Sequence, residues 1–192
     1  GDSLAVLVKM LQPLDLNPDI VQLMGSVTCE SISSTPQAVV TSLAEMFHGH
    51  ADFLNLPLYI PNDYVRETLC NDANNSVILK KGIFCDKVIA SIGTMGKIRE
   101  SDYWRGSMPP EIYKDLVEKG ACGSILGRFF DANGQELACD WNEKSISLSI
   151  QQLRNISDVV IVASPVSKAP ALLAALKGDF INTLITDGTT AT

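Results

Sequence analysis

Short apolar runs recur along the chain, most of them closed by small or hydroxylated residues: DIVQLMGSV (19–27), DFLNLPLYIP (52–61), DKVIASIG (86–93), DVVIVAS (158–164) and INTLITD (181–187). Runs this short and this rich in Val, Ile and Leu suit strands covered on both faces, the environment of a parallel sheet. Pro57 in the second run predicts an edge or a bulge. Stretches with helical spacing lie between them. SLAVLVKML predicts a helix capped at or just before Ser3. STPQAVVTSLAEMFHGH sets Ser-Thr-Pro before a stripe of Val39, Leu43, Met46 and Phe47, predicting an N-capped amphipathic helix closed by Gly49. A helical stretch from Asp63 to about Lys81 is broken near NDANN, and PEIYKDLVEKG is closed by Gly120. SILGRFF-DANG-QELACD predicts a β-hairpin turning at Asn133-Gly134, and SISLS (145–149) a further short strand. The alternation predicts an α/β fold: a doubly wound, mostly parallel sheet with a small β-hairpin insertion, in one domain over residues 1–192.

Composition removes several classes of function. Apolar residues make up 46% of the chain and charged residues 19%, which is globular rather than disordered. Acidic residues outnumber basic ones 22 to 15, for a net charge of −7, and the longest basic run is Lys80-Lys81. Gripping nucleic acid needs clustered Lys and Arg, so this chain is not predicted to bind DNA by itself. The five cysteines are odd in number and widely spaced, which predicts reduced thiols in a cytoplasmic protein rather than disulfides or zinc. His48 and His50 point to different faces of a helix, so no metal site is predicted, and no motif requires a cofactor. No apolar run approaches the roughly 20 residues that cross a bilayer, and no signal peptide is legible, so no membrane partner is expected. The opening Gly1-Asp2-Ser3, without Met, predicts a fragment or processed chain.

In open α/β sheets ligands sit beyond the carboxyl ends of the strands. Those ends are predicted at Gly25-Ser26, Ser91 to Thr94 (with Gly93), Ser164 to Lys168, and Asp187 to Thr189. Their small hydroxylated residues offer N–H and O–H donors to a phosphate or a polyol. Lys168 stands where a helix begins, an end that carries partial positive charge and disfavours a cation. Ser167 is predicted to cap that helix. A bound anion would make the lysine a charge-assisted donor beside the helix amides; the other reading is a solvated surface lysine.

Several segments together resemble the sugar-binding effector domains of SorC-type bacterial transcriptional regulators: GDSL opening a helix, VQLMGSV, LPLYIP, IASIGTM, GACGSILGRFFDANGQEL, SKAPALLAALKGDFINTLITD and the closing TTAT. The resemblance covers nearly the whole chain. It implies a sugar-phosphate-isomerase-like fold and a phosphorylated sugar or polyol as effector. It also implies an N-terminal helix-turn-helix module and a first sheet strand that precede this chain. Carried over residue by residue, Gly1, Asp2 and Ser3 align with a phosphate-binding Gly-x-Thr loop, in which Ser3 keeps the hydroxyl. Gly25 matches a glycine after the next strand, and Ser26 replaces a second. Lys168 matches the lysine that reaches the ligand. Ser164-Pro165 replaces a Gly-Gly pair. Ser124 stands where an acid usually holds sugar hydroxyls.

Two functional classes follow, with a third beside them. The first is a non-enzymatic effector-binding and oligomerisation domain, expected to form a homo-oligomer and to meet operator DNA only through the absent module. The second is an isomerase- or deaminase-like enzyme, which needs a positioned acid and base; SIGTMGKIRE lacks the deaminase-type Asp-Gly-His. The third is an assembly domain that has lost its ligand. Ser3 reads equally as a plain helix cap, Ser124 as a small core residue, and Asp187 as a cap of TTAT. Tyr103, Trp104 and Arg105 fall in a loop that could cover the pocket.

Overall fold

A computed structural model of the chain describes residues 1–27, 32–100, 104 and 107–192. The first helix, α1 (Asp2–Met10), leads to strand β1 (Asp19–Val21), and helix α2 (Pro36–Phe47) to strand β2 (His50–Asp52). Thr35 caps α2: its hydroxyl accepts from the Ala38 amide at 3.1 Å, and Pro36 occupies the first turn. Val39, Val40, Leu43 and Ala44 form the buried face of α2. The helix is closed by His48, whose φ of 52° takes the left-handed position expected of Gly49. Gly49 is reserved for a different need, because its Cβ position lies 2.8 Å from the Pro18 ring.

The break predicted near NDANN falls between α3 (Asp63–Cys70) and α4 (Ala73–Ile83), where Asp72 caps the second helix. Strands β3 (Lys87–Ala90) and β4 (Ile92–Thr94) follow, then α5 (Met95–Glu100) and α6 (Pro110–Glu118). The 86–93 run is therefore two strands and not one: Ser91 interrupts it, and its halves join different sheets. Next come β5 (Gly123–Ile125), β6 (Arg128–Phe130), α7 (Asp140–Lys144), α8 (Ile150–Arg154) and β7 (Asp158–Val162). A 3-10 turn (Val166–Lys168), α9 (Ala169–Lys177), β8 (Thr183–Ile185) and α10 (Gly188–Ala191) complete the order.

The described strands form three sheets: parallel β1-β2, parallel β3-β7-β8 and antiparallel β4-β5-β6. The fold is α/β and mostly parallel, as the apolar runs predict. The 52–61 run pairs in β2 only as far as Asp52. Beyond it Leu54, Leu56, Leu58 and Ile60 alternate inward, with single bridges from Pro57 to Ser26 and from Tyr59 to Ser145. Residues 145–149 likewise make only single bridges. The hairpin predicted at Asn133-Gly134 is present: Phe130 bridges antiparallel to Glu136 across the turn, and Leu137 N donates to Phe129 O at 3.0 Å. A second hairpin, not predicted from the sequence, joins β5 to β6 at Leu126-Gly127. Both turn residues have positive φ, 49° and 79°, the geometry that matches the twist of a two-residue hairpin. Asp131 to Gln135 form a separate turn, in which the Asp131 carboxylate accepts from the Asn133 and Gln135 amides. Gly134 there has φ 71°, and its Cβ position falls 2.6 Å from the Gly178 Cα. Only glycine permits this contact between the turn and the end of α9.

The main core joins Val88 and Ala90 of β3, Val159 and Ile161 of β7, and Ala171, Leu172, Ala174 and Ala175 of α9. A second core centres on the fully buried Trp141, stacked on Tyr59 with ring centroids 4.7 Å apart, its indole N–H donating to the Gly127 carbonyl at 2.7 Å. Beside it Arg128 donates to the carbonyls of Asn142, Ser145 and Ser147 and to Glu136. No helix among the described residues is long and apolar enough to cross a membrane.

Candidate functional site

Lys168 ends the 3-10 turn after β7, so the sheet delivers it to a strand's carboxyl edge. Its ammonium donates to two hydroxyls from distant parts of the chain: Ser3 Oγ at 3.2 Å and Ser91 Oγ at 3.3 Å. Ser3 sits in the first turn of α1, and Ser91 is the residue that breaks β3 from β4. The order of the elements thus collects three strand-edge or helix-start positions that sequence places 77 and 165 residues from each other's partner.

The lysine is half-buried. Desolvation pushes its pKa below the ordinary lysine value, and the negative charge of Asp2 works against that shift. No carboxylate lies within ion-pair distance of it among the described residues. Asp2 is exposed and engaged elsewhere, accepting from the Ser34 hydroxyl at 2.7 Å.

An ammonium has three donors and no acceptor. Two are given to the serines, and each serine, having accepted, keeps its own O–H to donate outward. The cluster therefore gathers ammonium and hydroxyl donors about one partly desolvated positive charge, with Ser3 in the first turn of α1, whose N-cap position is Gly1. This is the chemistry of anion recognition. Two local expectations are corrected here. Ser3 is not the cap of α1, since Gly1 holds that position. Ser167 does not cap α9 either: Lys168 itself is the boundary residue, and no side chain caps the helix.

No hydrogen bond joins Gly25 or Ser26 to this cluster among the described residues. The Gly25 amide donates to Ile146 O at 2.8 Å and the Ser26 amide to Leu56 O at 2.7 Å, so both are already used within the fold. Gly25 is glycine because its Cβ position would meet Pro57 O at 2.5 Å. Ser26 Oγ accepts from the Gln37 carboxamide and lines a cleft of about 170 Å³ with Pro57, Tyr59, Ser107 and Trp141. The start of α2 relates the two places: Ser34 holds Asp2, and Gln37, one turn later, holds Ser26. Neither Ser34 nor Gln37 is legible as a site residue, because nothing in sequence indicates contacts across 32 and 11 positions.

Gly93 and Ser124 face each other in the β4–β5 register. Ser124 is buried, and a Cβ on Gly93 would lie 2.5 Å from its hydroxyl oxygen. The pair is packed, which agrees with the reading of Ser124 as a small core residue.

Asp187 is the cap of α10. It accepts from the Thr189 and Thr190 amides at 3.0 and 2.9 Å. Hydrogen bonds from the Ser164 side chain and from Thr190 hold its pKa at about 2. His48 and His50 lie at the end of α2 and in β2, each 3.5 Å from a carboxylate, that of Asp15 or Asp52. No group of three or more His, Cys, Asp or Glu side chains among the described residues is placed to hold a metal. Tyr103 and Arg105 lie outside the described residues; Trp104 is buried against Phe129 and Trp141.

The family model described as "Putative sugar-binding domain" matches residues 1–192. The deoxyribonucleoside regulator of Bacillus subtilis (strain 168) is 27% identical over 192 residues, which is all of this chain and 61% of that protein. The erythritol catabolism regulatory protein EryD of Brucella abortus (strain 2308) is 28% identical over 171 residues, 89% of this chain and 53% of that one. The chain thus spans between half and about three fifths of the length of these relatives. Among solved structures, the full-length sorbitol operon regulator SorC from Klebsiella pneumoniae superposes with a TM-score of 0.90 at 23% identity, covering all of this chain and 63% of its own. The chain belongs to the sugar-binding domain family of SorC-type transcriptional regulators.

Proposed function

We propose that this chain is the ligand-sensing domain of a longer DNA-binding regulator and that its effector is a phosphorylated sugar or polyol, its phosphate held by Lys168 with Ser3 and Ser91. The observation that carries this reading is the Lys168 ammonium, half-buried and lowered in pKa, with two hydroxyls and no carboxylate in reach among the described residues. A cation kept partly dry without an ion-paired carboxylate gains most from a dianion. The relatives' names, a deoxyribonucleoside regulator and an erythritol regulator, support effectors of the sugar and polyol class.

Residues 1–192 act as one domain in this reading, with the helix-turn-helix module and a first strand preceding it. The protein works in the cytoplasm as a homo-oligomer, matching the symmetry of operator DNA, and touches DNA only through that module. It is not an enzyme: neither histidine is among the groups that meet at Lys168, and Asp2 is turned to Ser34. Gly1, Asp2, Gly93 and Ser124 border or underlie the anion site, while Gly25 and Ser26 shape the neighbouring cleft.

The committed backbone amides at Gly25 and Ser26 and the packed Ser124 favour one second reading, an assembly domain without ligand. A thermal-shift screen of phosphorylated pentoses, hexoses and pentitols, each beside its unphosphorylated parent, separates the two. An effector present at 100 times its Kd should stabilise the fold by about 2.7 kcal/mol. If no phosphorylated compound moves the midpoint while the chain still self-associates, the assembly reading replaces the effector reading.

A further inference from the structure

A small polar cavity lies away from the Lys168 cluster, between the end of β1, helix α4 and the segment leading into α8. Its volume is about 60 Å³, above the roughly 10–15 Å³ that one water needs. Leu23, Ile78, Leu79 and Leu148 supply apolar wall, and Gln22 and Ser147 supply polar atoms. Gln22 is 2% exposed. Its amide nitrogen donates to Met24 O at 2.7 Å and lies 3.5 Å from Leu54 O, whereas its oxygen, Oε1, is buried and finds no protein partner among the described residues. The Ser147 hydroxyl is buried and unpartnered in the same way.

The orientation of the amide is fixed by chemistry. Both backbone groups facing its nitrogen are carbonyls, so a flipped amide would set oxygen against oxygen there. The acceptor must therefore face the cavity. A buried polar group left without a partner costs about 1–3 kcal/mol, and here an amide oxygen and a hydroxyl, both unpartnered among the described residues, border one space of the right size.

We propose that this cavity is a binding site for ordered water, in which one molecule donates to Gln22 Oε1 and bonds the Ser147 hydroxyl. The site would tie β1 to the 145–148 segment through a hydrogen-bonded bridge. It would also hold the Gln22 amide on the Met24 carbonyl, immediately before Gly25 and Ser26. Met24 and Ser147 already share a single antiparallel bridge, so the water reinforces an existing junction.

A crystal structure at a resolution that shows ordered solvent tests this. Density within hydrogen-bonding distance of both Gln22 Oε1 and Ser147 Oγ is expected. A dry cavity, or a Ser147 hydroxyl turned to a protein acceptor, overturns the proposal. In solution, magnetisation transfer from long-lived water to the Gln22 side-chain amide and the Ser147 backbone amide is expected in the unaltered protein, with loss at Ser147 in Gln22→Leu. Absence of transfer in the unaltered protein is decisive against the site even where Gln22→Leu does not fold.

Discussion

Arg128 and Lys168 are both partly withdrawn from solvent, and they are treated oppositely by the fold. The guanidinium of Arg128 meets three backbone carbonyls and the Glu136 carboxylate at 2.7 to 3.3 Å. Every direction in which it can donate is taken by the protein. Lys168 meets two hydroxyls at 3.2 and 3.3 Å and forms no ion pair among the described residues, the charge of Asp2 acting on it only at longer range. A saturated cation is part of the scaffold, and an unsaturated one is available to a ligand. This distinction separates a structural charge from a binding charge better than burial does.

The sharpest way to break the contrast is to remove Arg128. Arg128→Met strands Glu136 and three carbonyls, and the loss expected for breaking a buried pair is about 3–5 kcal/mol. Denaturant unfolding should show it as a lower midpoint with unchanged slope. Loss well under 1 kcal/mol would mean that the network is as replaceable as a surface pair.

Lys168→Met should do the reverse. It should weaken the best phosphosugar from the screen by about 1.5–3 kcal/mol, ten- to over a hundredfold in affinity, while stability without ligand stays level. Calorimetric titration of both proteins reads this, and equal affinities would return Lys168 to the surface. A third variant sharpens the boundary of the site. Gly93→Ala forces a methyl group onto the Ser124 hydroxyl, at a cost of about 1–3 kcal/mol for overpacking. The double variant with Ser124→Ala should regain part of that stability in thermal unfolding. No recovery would mean that the pair is not a simple steric contact.

The smallest effect concerns Asp187. Its pKa falls from the ordinary 3.8 to about 2, so its stabilising effect is full above pH 3.8 and fades as the pH drops towards 2. The group lies at the surface and is only partly buried, so the effect should be slight. Acid titration of stability should be flatter over that window for Asp187→Asn, with the two curves meeting at its acid end.

Much of the framework is legible in the chain. Thr35-Pro36 announces α2 because a hydroxyl cap and a fixed φ are local devices. Asn71-Asp72 announces the break between α3 and α4 for the same reason, and the unbroken apolar run from Val159 to Ala163 marks β7. What escapes sequence is set by partners far away. Ser91 splits an apolar run into two strands because β4 pairs with β5 while β3 pairs with β7. The hairpin at Asn133-Gly134 is legible from its turn residues, whereas the one at Leu126-Gly127 is not, because nothing local announces the positive φ that Leu126 adopts. At the candidate site, Lys168 and the small strand-end residues can be picked out. Their company cannot, because Ser3 and Ser91 reach Lys168 only through the three-dimensional order of α1, β3 and β7.

The contact between Gly134 and Gly178 has a mechanical consequence. It pins the C-terminal end of α9, and Arg154 fastens the same point by donating to Gly178 O at 2.8 and 3.0 Å. The opposite end carries Lys168, with no side-chain cap to hold it. The nine-residue helix, its inner face packed through Ala171, Leu172, Ala174 and Ala175, spans about 13 Å between those two ends. A swing of about 5° around the glycine contact moves the lysine by about 1 Å. A displacement at the lysine is thus felt first by the β4–β5 strands, against which the same end of the helix rests at Ala171.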